Sequence, residues 1–159
     1  MSVRAAYIGP FAALSTSDVY GTVRSPAAAT GVETCLGVVP RGAWINPFSG
    51  CALTVSWYSR GEDGLFLVGL APQILLTGAD RRSELAVVPQ FAMGSTTGNS
   101  HQLTYYVAGL GLRTTHALTG PVRLEAEGGF RWITARPRPS GTDPTAVPAY
   151  VTAGLLFRI

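Results

Sequence analysis

Arg123, Glu125, Glu127 and Arg131 occupy alternate positions of one segment, and the positions between them are filled by Leu124, Ala126, Gly128, Phe130 and Trp132. A period of two places one set on each face of an extended strand. Glu125 and Glu127 side by side could act as general acid and base if a substrate reached them. Interleaved with arginines, they more simply form ion pairs that satisfy one another in a buried place. Two histidines could serve nucleophilic chemistry, which needs a hydroxyl and an acidic partner within reach. His101 follows Ser100 in a stretch that reads as a loop, and His116 falls in a short turn. Cys35 and Cys51, sixteen positions apart, could close a disulfide loop in an oxidising compartment. Two cysteines and two distant histidines make a poor metal set, so neither metal nor cofactor is expected.

The elements that must position these residues follow from composition. In 159 residues only 13% are charged, about half the usual share, while 47% are apolar. That charge is too sparse to coat a water-facing shell. The longest apolar stretch, 64–79, is interrupted by Pro72 and Gln73 and falls short of the ~20 residues a spanning helix needs. A membrane protein without spanning helices must be a closed barrel, because an open edge would leave backbone groups unsatisfied in lipid. The basic residues are all arginines and are scattered, which gives no nucleic-acid footprint. The segment 1–14 lacks the apolar run of a secretory leader, so an exported protein would be a mature form with an added or retained Met.

Period-two segments bounded by Gly, Pro, Asp, Asn or Ser recur at 3–14, 32–39, 51–59, 65–76, 84–94, 102–113, 122–132 and 150–159. They predict one domain over residues 1–159, all-β, a closed antiparallel up-and-down barrel of about eight strands, transmembrane. With both termini at one end, the odd-numbered connections face the other end and should be the longer ones. Residues 15–31 and 134–148 fit as long first and seventh connections, and 78–82 and 115–120 as short fourth and sixth ones. The second connection, 40–50, is long for a turn and carries Trp44, Ile45 and Phe48.

Alternation alone does not say which face points inward, since a soluble lipocalin-like barrel would bury its apolar face. The low charge, the two-sided apolar run at 65–76, and aromatics near strand ends (Tyr7, Phe11, Trp57, Tyr105, Trp132, Phe157) turn the apolar face to lipid. The lumen then receives Arg123, Glu125, Glu127, Arg131, Arg158 and Glu84, joined by Arg4, Gln90, Gln102, Thr104 and Tyr106. In so narrow a barrel these should pack as a plug of ion pairs, with a polar passage or small-ligand pocket as the alternative.

The closing stretch Tyr150-Val-Thr-Ala-Gly-Leu-Leu-Phe-Arg-Ile159 resembles the terminal strand of outer-membrane β-barrel proteins. Residues 105–113 and 121–132 are similar to the penultimate hairpin of the small eight-stranded members. The resemblance covers the last third of the chain and departs from the commonest form in ending on Ile159 rather than Phe. It implies an outer-membrane location in a Gram-negative-type bacterium, contact with membrane lipid and the assembly machinery, and envelope protein partners. The expected role is noncatalytic: structural, surface-interacting or a small pore, with or without a place in a larger envelope assembly. The alternatives are a soluble barrel holding an apolar ligand and a lipid-modifying enzyme. For the last, the context of His101 does not match the deacylase pattern of His and Ser alternating on one strand face.

Overall fold

The computed structural model describes residues 1–11, 27–37, 45–46, 52–60, 63–77, 82–97, 104–136 and 147–157. Their regular structure is entirely β: β1 (Ser2–Phe11), β2 (Ala27–Leu36), β3 (Ile45–Asn46), β4 (Leu53–Arg60), β5 (Asp63–Leu70), β6 (Gln73–Leu75), β7 (Ser83–Thr97), β8 (Thr104–Thr119), β9 (Val122–Arg136) and β10 (Ala149–Phe157). All pairings are antiparallel, and β7 with β8 joins the two ends of the strand order. β5 and β6 run end to end along β7, and β3 pairs only with β6, so the ten strands make an eight-stave closed barrel. Each of the eight sequence segments corresponds to one stave.

Pro72 explains why one stave is split. It falls between β5 and β6, and the β7 residue in line with it is Pro89, which also lacks an N–H. The register is unchanged across the gap, Leu70 pairing with Phe91 and Ile74 with Val87. The long second connection has a structural use here. Its Ile45 and Asn46 pair with Ile74 and Gln73, covering the edge of β6 beyond the start of β4.

The termini and the connections before β4, β7 and β9 share one end of the barrel, here the terminal end; the connections before β2, β5, β8 and β10 share the other, the loop end. Residues 12–26 and 137–146 connect strands at the loop end, as expected of the first and seventh connections. The third is shorter than its parity suggested: Arg60 pairs with Asp63 across a two-residue link. The sixth tightens to Gly120 and Pro121, with Gly120 at φ 51°.

Side chains alternate as a closed barrel requires. Val3, Tyr7, Val32, Trp57, Leu110 and Phe130 are among the large apolar residues left exposed on the outside. Inside, Ile8, Ala29, Leu65, Tyr105 and Ile133 form an apolar cluster toward the loop end, and charged residues fill the middle.

Candidate functional site

Among the described residues the lumen holds four buried arginines, Arg4, Arg113, Arg123 and Arg131, and four buried glutamates, Glu33, Glu84, Glu125 and Glu127. The formal charges of these eight balance. Glu127 is one hub. Its Oε2 accepts from Arg4 Nη1 at 2.9 Å and Arg113 Nε at 2.7 Å, while its Oε1 accepts from Tyr150 Oη at 2.6 Å and from Gln90 Nε2. Arg113 Nη2 lies 2.6 Å from the same Oε2, near enough for electrostatic attraction but not aligned as a hydrogen-bond donor.

Arg131 is the second hub. Its Nη2 donates to Glu33 Oε1 at 2.6 Å, its Nε to Gln90 Oε1 at 2.8 Å and its Nη1 to the Tyr58 hydroxyl, which in turn donates to Glu33. The guanidinium also sits 4.0 Å from the centroid of the Tyr150 ring. Arg4 ties the hubs together, at 3.0 Å from Glu125, 2.9 Å from Glu127 and 3.3 Å from Glu33. Gln73 Oε1 accepts a long bond of 3.5 Å from Arg113. All eight staves thus contribute to one network: Arg4 from β1, Glu33 from β2, Tyr58 from β4, Gln73 from the β5–β6 stave, Gln90 from β7, Arg113 from β8, Glu127 and Arg131 from β9, Tyr150 from β10. A void of about 20 Å³ bordered by Arg4, Glu33, Ser56 and Arg131 has room for about one water.

Gly111 makes this crossing possible. A Cβ there would stand 2.0 Å from the Tyr150 hydroxyl, so only glycine lets the tyrosine reach Glu127 and Gln90 as placed. Toward the terminal end a smaller group continues the pattern: Thr115 Oγ1 donates to Glu84 Oε2 at 3.1 Å, and Arg123 lies 3.5 Å from Glu84 Oε1.

Arg123, Glu125, Glu127, Arg131 and Glu84 therefore face inward as the alternation predicts, together with Arg4 and Gln90. Arg158, Gln102, Cys51 and His101 lie outside the described residues, as do Trp44 and Phe48; Cys35 is buried beside Leu156 near the terminal end. The assignment on β8 is corrected. Tyr106 is 46% exposed on the outside and Thr104 is only half-buried, whereas Tyr105, taken as an interfacial aromatic, is buried in the lumen. Arg113, in the same phase as Tyr105, was the signal that would have set that strand correctly. Glu33, Tyr58, Gln73 and Tyr150 were also missed as lumen residues.

No protein-family model, curated protein or solved structure matches the chain. His116 lies on the outer face of β8, not in a turn, with Nδ1 2.7 Å from Ser83 Oγ of β7. Glu84, the carboxylate next to that serine in sequence, is buried on the opposite face of its strand. The pair is a Ser–His contact at the barrel rim, and Glu84 is turned away from it.

Proposed function

We propose that the chain is an integral outer-membrane β-barrel with a noncatalytic role, its lumen packed shut and its loop end available to envelope partners. The observation that carries this reading is the apolar outer band. On β7 the exposed or half-exposed outward residues run Leu85, Val87, Pro89, Phe91, Met93, bracketed by Ser83 and Ser95. Measured to midway toward those serines, the run is ~34 Å at ~3.4 Å per residue, and rises ~26 Å if the strands tilt by ~40°. Bacterial outer-membrane barrels carry an apolar band ~25 Å tall.

Charge placement gives the same answer. Among staves' residues whose side chains are described, Arg136 at the loop end is the one charged residue on the outside. A soluble barrel inverts this arrangement, with charges outside and an apolar cavity inside. The network of eight buried charges supports a plug over an open passage or an apolar ligand site. Membrane lipid and the outer-membrane assembly machinery are the partners this reading entails.

Fractionation tests it. The protein should stay with membranes in buffer and high salt, need detergent for extraction, and migrate differently on a gel with and without boiling. Recovery in buffer without detergent would overturn the proposal.

A further inference from the structure

The outer wall across β5, β7, β8 and β9 is not smooth. Cross-strand register aligns Leu70, Phe91, Ala108 and Trp132 in one row. Ala108 is the small member between large neighbours, and the wall sinks there into a trough of about 750 Å³ whose floor includes Gly69 and Ala92. The next row toward the loop end pairs Met93 with Tyr106 and Tyr106 with Thr134. The row beyond pairs Ser95 with Thr104 and Thr104 with Arg136. Arg136 is exposed and continues the outward phase of Trp132 and Thr134. From Trp132 to Arg136 is ~14 Å along the strand.

The chemistry along this path changes in order, from hydrocarbon at Ala108, to the hydroxyls of Tyr106 and Thr134, to a guanidinium. A membrane lipid presents the same order, from acyl chain to ester to phosphate. Resting on the membrane reading above, we propose that the trough holds an acyl chain of a net-anionic phospholipid whose phosphate pairs with Arg136. Arginine suits that partner through its bidentate donor geometry, and Tyr106, in register with Met93 at the end of the apolar run and one row inside Arg136, stands at the depth where amphipathic rings settle. Among the described residues the outer wall of a second copy offers Arg136 no carboxylate, because the staves' described acidic side chains face the lumen.

The test uses the full chain in detergent, titrated with phosphatidylglycerol or phosphatidylcholine and followed by native mass spectrometry, with heat-modifiable mobility as the check of folding. Wild type should retain phosphatidylglycerol preferentially. Ala108→Leu, which fills the trough from outside, should lose the adducts of both lipids. Arg136→Gln, which leaves the trough intact, should keep binding but lower the preference for phosphatidylglycerol about fivefold. It carries the test alone if Ala108→Leu does not fold. Equal lipid occupancy in wild type and Ala108→Leu, an unchanged preference in Arg136→Gln, or a discrete dimer that Ala108→Leu dissociates would overturn the site. A heat-modifiable, detergent-requiring barrel giving those results refutes the lipid site alone; a chain recovered in buffer refutes the membrane reading beneath it.

Discussion

Glu127→Gln should be among the most damaging near-isosteric changes in the barrel. The residue is 2% exposed and its Oε2 takes Arg4 at 2.9 Å and Arg113 at 2.7 Å. Glutamine keeps the shape and one acceptor but removes the charge, leaving four buried arginines against three buried glutamates among the described residues. Arg4 retains Glu125 at 3.0 Å and Glu33 at 3.3 Å, whereas Arg113 is left with Glu125 at 3.8 Å as its nearest carboxylate. Stranding one member of a buried ion pair costs ~3–5 kcal/mol; because Arg4 keeps partners, the loss expected is ~3 kcal/mol, the low end of that range. Urea unfolding of detergent-refolded protein, followed by tryptophan fluorescence and by gel mobility, measures it. Adding Arg113→Gln restores the balance, so the double variant should be less destabilised than the sum of the singles by ~1–3 kcal/mol. A single variant within ~0.5 kcal/mol of wild type, the scatter of ordinary surface substitutions, together with an additive double, would refute the picture of a lumen held by charge balance.

Depth on the outer wall gives a second prediction: Leu110→Arg, in register with Pro89 and Phe130 near the middle of the apolar band, should lower stability by ~2–4 kcal/mol, but Leu118→Arg, beyond Thr114 and His116 on the same strand, by only ~0–1 kcal/mol. Equal costs in vesicle refolding would argue against a membrane-spanning band. Gly111→Ala should destabilise by ~1–3 kcal/mol through its clash with the Tyr150 hydroxyl, and Tyr150→Phe in that background should recover part of the loss; failure to recover would mean that the ring, not the hydroxyl, is the obstacle. The spacing of Cys35 and Cys51 leads us to propose a disulfide worth about 3 kcal/mol by loop-closure entropy. Intact mass under nonreducing conditions should be two hydrogens (~2 Da) below the reduced mass, and two alkylatable thiols in oxidised native protein would exclude the bond.

The amino-acid pattern of 122–132 was enough to determine a strand with one apolar and one charged face, because a two-residue period has a single structural meaning. Repetition of that pattern, with Pro and Gly between segments, determined the all-β class and the stave number. Sparse charge determined that the charged face would be the inner one. The limit came where a strand offered two acceptable phases: on β8, adjacent Tyr105 and Tyr106 fit either face, and only closure against β7 and β9, which turns Arg113 toward Glu127, places Tyr105 inside. Tyr58 beside Trp57 was ambiguous for the same reason, and the structure resolves it by carrying the Tyr58 hydroxyl to Glu33 and Arg131.

What the sequence by itself determined is therefore local: which residues extend, which alternate, and how little charge is available to share between the two faces. What only the tertiary structure decided is which inward residues from distant staves meet. Arg4 finds Glu127 two staves away and Arg131 finds Glu33 three staves away, 123 and 98 positions apart in the sequence, because barrel curvature and strand register fix their heights. Alternation specifies the face of a side chain but carries no information about its level along the barrel axis. That level is set by hydrogen-bonded register between strands, a property of pairs of segments and not of any one of them.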